Sequence, residues 1–133
     1  MDTPTPHLPL TILVVEDDDA VRRMTRMFLE IKGYNVVEAR NAADAIQFME
    51  CHMGSIEMVL TDVAMSGMKG VELVERLVKL RSGIKVLYMS AYTEDAAINS
   101  GILGPGSAFI EKPFSADELT CKVREVLGRS MVV

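Results

Sequence analysis

The stretch IEMVLTDVAMSGMKG (Ile56–Gly70) passes from an apolar run straight into a carboxylate, Asp62, and then into a loop that holds two glycines. A short run of this kind, with little polar alternation, is typical of a strand that is buried on both faces. The fold has to account for the charge at the end of that strand.

Four further apolar runs have the same character, and amphipathic segments lie between them. We predict five strands, at residues 10–16, 35–39, 57–62, 85–90 and 107–111. Helices are expected in four of the intervening or following segments, at residues 17–34, 42–53, 70–81 and 115–128. The first helix has the clearest pattern, with an apolar stripe at Val21, Met24, Phe28 and Ile31 and a stop at Lys32-Gly33.

Strands that alternate with helices at this spacing indicate an α/β fold, a parallel sheet covered by helices on both faces. Right-handed crossovers leave few arrangements of five strands. The flavodoxin-like order 2-1-3-4-5 is favoured, with a Rossmann-type half as the alternative. The segment 93–106 holds three glycines and a proline, so the fourth helix is expected to be short or irregular.

A chain of 133 residues is long enough for one ordinary domain. We expect a flexible tail or linker at residues 1–9, a folded domain at 10–128 and a short tail at 129–133. A net charge of −5, without a run of Lys or Arg, argues against direct binding of nucleic acid. No apolar run approaches membrane-spanning length, so we expect a cytoplasmic domain without direct membrane contact. Cys51 and Cys121 are expected to be reduced structural thiols.

Polar residues end or follow four of the five predicted strands. They are Glu16 and Asp17, Asp62, Ser90 and Lys112. Structural explanations exist for single residues: a turn for Asp62 or Ser90, a solvated charge for Lys112, and a helix cap for Asp17. The helix cap is the preferred explanation for the neighbouring Asp18 or Asp19. In the favoured strand order these ends are neighbours, at the edge where doubly wound sheets bind ligands. One shared site explains the whole set better than separate roles do.

The chemistry of such a set can be stated. Clustered carboxylates repel one another, and they either raise a pKa or recruit a cation. Hard oxygen ligands with room for water suit Mg²⁺. A carboxylate beside the metal can attack phosphorus and form an acyl phosphate, while a lysine and a hydroxyl contact the phosphoryl oxygens. The set therefore indicates a phosphoryl-accepting site.

From Leu10 to Leu127 the chain resembles the receiver (response-regulator) domains of two-component signalling. The resemblance rests on four motifs, ILVVEDD, VLTDVAMSGMKG, VLYMSAY and FIEKPF, which are specific only in combination. It implies that Asp62 takes a phosphoryl group from a phosphohistidine of a sensor kinase. It also implies that Mg²⁺ is ligated by Asp17, Asp62 and the backbone carbonyl of Ala64, with Glu16 helping through a water molecule.

The same resemblance implies a switch. Ser90 and Lys112 would each contact a phosphoryl oxygen, and Phe109 occupies the place of the family's rotating aromatic residue. Phosphorylation would pull Ser90 inward and Phe109 would follow, which would change the surface of the fourth helix and fifth strand. Ala64 and Tyr92 stand at positions that tune phosphoryl lifetime in the family. An alanine cannot hold a water molecule and a tyrosine could shield the phosphoryl group, so we predict slow loss of phosphate.

Residues 86–127 are similar to receivers attached to hybrid sensor histidine kinases. The partners implied are a sensor histidine kinase or a histidine phosphotransfer domain, and the receiver itself would be a monomer or weak homodimer. Nothing after Leu127 resembles a DNA-binding output domain, so we expect the phosphoryl signal to be read by another protein, passed to a histidine phosphotransfer domain or returned to the kinase.

Two alternatives to this signalling module, which is not expected to be an enzyme, remain open. One is a phosphatase of the haloacid-dehalogenase type, which would need an acid where Ala64 stands. The other is a receiver-like scaffold that is never phosphorylated and would be expected to lack a site residue.

Overall fold

The computed structural model describes residues 10–52, 54–64, 67–90 and 108–128. The expectations for the tails at 1–9 and 129–133, for Tyr92 and for a short helix within 93–106 lie outside the described residues. The helix after the fifth strand is therefore called α4 below.

Five parallel strands form one sheet in the order β2-β1-β3-β4-β5, as predicted. The strands are β1 (Thr11–Val15), β2 (Asn35–Ala39), β3 (Met58–Asp62), β4 (Lys85–Ser90) and β5 (Phe109–Glu111). The described helices are α1 (Asp19–Ile31), α2 (Ala42–Cys51), α3 (Gly70–Leu80) and α4 (Ala116–Gly128). None of these helices combines the length and the apolarity that a bilayer crossing requires.

Alternate residues of β1 are buried in the two hydrophobic cores that lie on opposite faces of the sheet. For this reason the sequence of β1 does not alternate between apolar and polar residues. Ile12 and Val14 pack with Leu29 of α1 and with α4 on one face of the sheet. Leu13 and Val15 pack with residues of α2 and α3 on the other. Both faces are thus covered by helices, as the unbroken apolar runs predicted.

Helix α1 begins and ends through local chemistry that the sequence indicated. Asp18 is its N-cap and accepts a hydrogen bond from the backbone N–H of Val21, at 3.1 Å. The helix stops at Gly33, whose φ of +93° lies in the left-handed region that favours glycine. The prediction that Asp18 caps the first helix is therefore confirmed.

The expectation that Ile31 lies on the buried face of the first helix is wrong. Ile31, the last member of the predicted apolar stripe, is 74% exposed, because the helix turns Leu29 and Thr25 toward the sheet instead. Cys51 and Cys121 are both free, as expected for reduced thiols, and both are exposed.

Candidate functional site

The strand register brings the predicted site residues to one edge of the sheet. Asp62 is paired with Met89, and Ser90 is paired with Glu111. The backbone continues this alignment beyond the strands, because Lys112 N–H donates to the Ser90 carbonyl at 2.7 Å. The ends of β3, β4 and β5 are therefore level, as the argument from strand order required.

Asp62 is almost buried, and both of its carboxylate oxygens accept hydrogen bonds. Its side chain accepts from Ala64 N–H at 3.2 Å through Oδ1 and from Lys112 Nζ at 2.8 Å through Oδ2. The first contact is the Asx-turn that offered a purely structural explanation. The second ties the same carboxylate to a lysine 50 residues away, which a turn does not require.

Lys112 joins two acids, so the interpretation of it as a solvated charge is wrong. Its Nζ lies 2.8 Å from Asp62 Oδ2 and 2.8 Å from Glu16 Oε1, and its side chain is only 18% exposed. Burial lowers the pKa of Lys112, but the hydrogen bonds and charges of Asp62 and Glu16 outweigh burial, and the net pKa is raised. The ammonium thus stays charged beside the two carboxylates. The Lys112-Pro113 peptide bond that follows is cis.

Glu16 is 1% exposed, and each of its hydrogen-bonding groups has a partner. Its carboxylate accepts from Lys112 through Oε1 and from Asp18 N–H through Oε2, at 3.1 Å. Its backbone N–H donates to the Ala39 carbonyl at 3.1 Å. Burial raises the pKa of Glu16, the Lys112 hydrogen bond opposes this, and the net pKa is raised.

One carboxylate oxygen from each of Glu16, Asp17 and Asp62 lies within 4.8 Å of the others. Glu16 and Asp62 are buried, whereas Asp17 is exposed at the mouth of the cluster. Three hard oxygen donors at this spacing, with one side open to water, fit the coordination of a small divalent cation such as Mg²⁺. The structure thus brings together the side chains that the resemblance assigned to the metal.

The remaining predicted residues lie around this cluster. Ser90 is 3% exposed at the end of β4, and Ala64 is exposed two residues after Asp62. Phe109 is half-buried and packs against the small apolar cluster of Val63 and Tyr88. Ser90 and Phe109 lie on β4 and β5, which are neighbouring strands of the sheet. The switch that the resemblance implies requires this arrangement.

Sequence reasoning missed Gly70, which begins α3. A Cβ atom added there would collide with the Asp62 carbonyl oxygen and would lie 3.2 Å from Val63 Cα. Gly70 N–H also donates to the Val63 carbonyl at 3.0 Å. A glycine at the start of a helix was the available signal, but only the structure shows that α3 touches the backbone of Asp62.

Arg22 was also missed. It is 6% exposed, and its Nη1 donates to the backbone carbonyl of Glu16 at 2.9 Å. The predicted apolar stripe of the first helix does not include Arg22, so no signal in the sequence indicated its burial.

Comparison with known proteins gives a consistent picture. A family profile described as the response regulator receiver domain matches residues 12–124. The sensor kinase CckA of Brucella abortus is 38% identical over 119 residues, which are 90% of this chain and 13% of that protein.

Solved structures agree with the sequence match. The receiver domain from hybrid histidine kinase CckA superposes with a TM-score of 0.73 at 30% identity, over 88% of this chain and 98% of that one. The response regulator TrrA from Thermotoga maritima, solved in complex with Mg²⁺-BeF, also has a TM-score of 0.73, with 27% identity over 88% of this chain and 98% of its own.

The chain spans 13%, 31% and 49% of the length of three curated relatives that it matches. The family profile covers most of the chain, and the sheet order and the acid cluster agree with it. The chain therefore belongs to the response regulator receiver domains, the phosphoacceptor modules of two-component signalling.

Proposed function

We propose that Asp62 is the residue that accepts the phosphoryl group. The observation that carries the proposal is the position of its carboxylate, which contacts the Lys112 ammonium at 2.8 Å and belongs to one acid cluster with Glu16 and Asp17. Such a carboxylate is held ready for attack, and positive charge is available where the phosphoryl oxygens would lie.

In the reaction, a carboxylate oxygen of Asp62 forms a bond to phosphorus while the P–N bond of a phosphohistidine breaks. The electron pair of that bond remains on the departing imidazole nitrogen, and Asp62 becomes an acyl phosphate. Lys112 hydrogen-bonds one phosphoryl oxygen and the Ser90 hydroxyl donates to another. These contacts neutralise charge on the transferred group as it develops.

Asp17, Asp62 and the Ala64 carbonyl would hold Mg²⁺, with Glu16 assisting through water. The three carboxylate oxygens within 4.8 Å support this assignment, and the similar regulator TrrA was solved with Mg²⁺-BeF. Bound Mg²⁺ would supply charge neutralisation for the phosphoryl oxygens.

We assign the chain to signalling, with self-catalysed phosphorylation and hydrolysis but no turnover of a free substrate. Ala64 stands where the phosphatase alternative would need a second acid, and its methyl group cannot act as an acid or base. The donor would be a sensor histidine kinase or a histidine phosphotransfer domain in the cytoplasm. The similarity to the CckA sensor kinase supports a donor of that kind.

The proposed switch couples the site to the edge of the sheet. Ser90 would move toward the phosphoryl group, and Phe109 on the neighbouring strand would move with it. The partly buried position of Phe109, against Val63 and Tyr88, leaves it able to change its packing. Phosphorylation would then bias an equilibrium between two arrangements of this surface.

The phosphoryl group should be lost slowly. Ala64 is exposed next to Asp62, and its side chain has no group that positions a water molecule for attack. The measurement is the decay of phosphorylated protein after removal of the donor, and a half-life of seconds would contradict this expectation.

The test of the proposed function uses acetyl phosphate as the donor. Wild type, Asp62→Asn and a control, Asp44→Asn, are incubated with acetyl phosphate and Mg²⁺, with or without EDTA, and their intact masses are compared. Asp44 is an exposed acid of α2 and does not belong to the cluster. One added phosphoryl group in wild type and in Asp44→Asn, lost in Asp62→Asn and with EDTA, supports the proposal. Equal phosphorylation of Asp62→Asn would overturn it.

A further inference from the structure

Arg22 is the most deeply buried cationic side chain in the described part of the protein. It is 6% exposed on α1, whereas the other described arginines and lysines are at least partly accessible to solvent. Burial of a guanidinium is costly unless its donors are paired. The hydrogen-bond partners of the Arg22 guanidinium therefore indicate its role.

The three contacts of Arg22 reach three different parts of the chain. Nη1 donates to the backbone carbonyl of Glu16 at 2.9 Å, directly after β1. Nη2 donates to Asp19 Oδ1 at 2.6 Å in the first turn of α1. Nε donates to Glu38 Oε1 at 2.9 Å on β2. The rigid planar fork of the guanidinium thus sets the distance between these three parts.

The contact with the Glu16 carbonyl concerns the site directly. That carbonyl belongs to the peptide bond between Glu16 and Asp17, so its direction determines how both side chains leave the backbone. The other backbone group of Glu16, its N–H, is held by the Ala39 carbonyl. Arg22 is thus the side chain that bonds the carbonyl of this peptide, in addition to the Ala39 contact and the contacts of the Glu16 side chain.

The Arg22 network is poorly explained as a source of stability. A buried ion pair can often be replaced by apolar side chains of similar volume without loss of stability, because desolvation offsets the attraction. An apolar side chain in place of Arg22 could not hydrogen-bond the Glu16 carbonyl and so could not fix the orientation of that peptide. Partners that orient metal-binding groups typically affect metal affinity about 10-fold to 100-fold.

We propose that Arg22 is a positioning residue for the acid cluster, holding the Glu16–Asp17 peptide so that both carboxylates face Asp62. The proposal rests on the assignment of this cluster as the Mg²⁺ site. Arg22 acts through the backbone of Glu16 and contacts neither the metal nor the phosphoryl group.

Arg26 offers a matched control on the same helix. It lies one turn after Arg22 and pairs with Glu38 at 2.6 Å and with Glu30 at 2.9 Å. Within the described residues its side chain bonds Glu30 and Glu38 but not Glu16, and it is 46% exposed. Arg26→Met therefore removes a cation from α1 and a partner from Glu38 while leaving the Glu16 carbonyl bonded.

The experiment compares wild type, Arg22→Met, Arg22→Lys and Arg26→Met. Mg²⁺ affinity is measured by isothermal titration calorimetry at a temperature where circular dichroism shows each variant folded. Amide hydrogen exchange at residues 16–18 is measured on the same samples without metal. We expect Arg22→Met to bind Mg²⁺ about tenfold more weakly and to exchange faster at residues 16–18. Arg22→Lys should recover part of both losses, and Arg26→Met should match wild type within about twofold.

The two readouts separate this proposal from the function on which it rests. If wild type binds Mg²⁺ and Arg22→Met binds it equally well, the positioning role is overturned and the proposed function stands. If wild type binds no Mg²⁺, the proposed metal site fails. Faster exchange in Arg22→Met than in Arg26→Met would then still support a role of Arg22 in holding the peptide, and equal exchange would refute it.

Discussion

Lys112 Nζ lies 2.8 Å from Asp62 Oδ2, although 50 residues separate the two in sequence. The same nitrogen is 2.8 Å from Glu16 Oε1. A single ammonium therefore pairs with both buried acids of the cluster, although its one positive charge can balance only one of two ionised carboxylates. If the cluster holds the proposed metal ion, that ion would use the same carboxylates, and Lys112 would compete with it for them.

Replacing Lys112 by methionine should separate metal binding from phosphoryl transfer. Lys112→Met leaves the acids without their cation, so Mg²⁺ should bind several-fold more tightly. Phosphorylation by acetyl phosphate should be slower by about 100-fold, the cost of losing one charged donor to the transferred group. Mg²⁺ titration and the rate of mass gain measure the two effects.

A control for this variant is Lys122→Met on α4, where the lysine pairs with Glu125 at 3.6 Å and is remote from the acids in sequence. It should resemble wild type in both assays. Weaker Mg²⁺ binding in Lys112→Met than in Lys122→Met would contradict the competition between Lys112 and the metal.

Gly70→Ala should disturb the site through the backbone. The added Cβ would collide with the Asp62 carbonyl oxygen, so α3 or the end of β3 has to move. We expect a loss of about 1–3 kcal/mol in the free energy of unfolding, typical of overpacking, together with slower phosphorylation. Urea denaturation and the acetyl phosphate assay provide the measurements.

Gly128→Ala is the matched substitution, because nothing lies within 4 Å of a Cβ built there. It should be neutral or more stable by up to about 1 kcal/mol, the intrinsic helix preference of alanine over glycine. Equal stability of Gly70→Ala and Gly128→Ala would show that α3 can retreat from Asp62 without cost.

Glu38 should contribute stability that depends on pH. Its hydrogen bond with Arg26 lowers the pKa, burial opposes this, and the bond with Arg22 lowers it further, so the net pKa is below the usual value. The contribution is therefore complete above the unfolded-state pKa of about 4.3 and is lost as the pH falls through the folded-state pKa. Glu38→Gln should be less stable than wild type by about 1 kcal/mol at pH 7.

The difference between wild type and Glu38→Gln should shrink in urea titrations carried out at successively lower pH, below about pH 4. Glu30→Gln, which removes a more exposed partner of Arg26, should change stability by less than about 0.5 kcal/mol at any pH. A constant difference for Glu38→Gln from pH 7 to pH 3 would argue against the charged pairing.

Both cysteines should react in the native protein. Cys51 and Cys121 are free and exposed, so a thiol reagent should label two equivalents without denaturant. Labelling of fewer than two would mean that one of them is protected. Mass spectrometry of the labelled peptides identifies which cysteine reacts.

The strand order and the position of the site could be predicted because both follow from rules that act along the sequence. Unbroken apolar runs indicate strands covered on both faces, and parallel strands place their carboxyl ends at one edge. That edge is where Asp62, Ser90 and Lys112 lie. The acid cluster lies at the same edge, since Glu16 and Asp17 directly follow the adjacent strand β1.

What could not be predicted depends on contacts between elements. The sequence indicates that Lys112 is near the site, but not that it bonds Glu16 as well as Asp62. In the sequence, Arg22 is one of several polar residues on an amphipathic helix. Its ion pair with Glu38 forms only when the fold brings β2 beside α1. The outward position of Ile31 likewise depends on where α1 ends relative to the sheet, which periodicity leaves uncertain by about a residue.

The most direct test of the central claim is to locate the phosphoryl group on the chain. Protein phosphorylated with acetyl phosphate and Mg²⁺ is reduced with borohydride, which converts an aspartyl phosphate to homoserine, and is then sequenced by tandem mass spectrometry. The account predicts homoserine at position 62 and at no other aspartate. Homoserine at another position, or a stable phosphate on a serine or threonine, would contradict it.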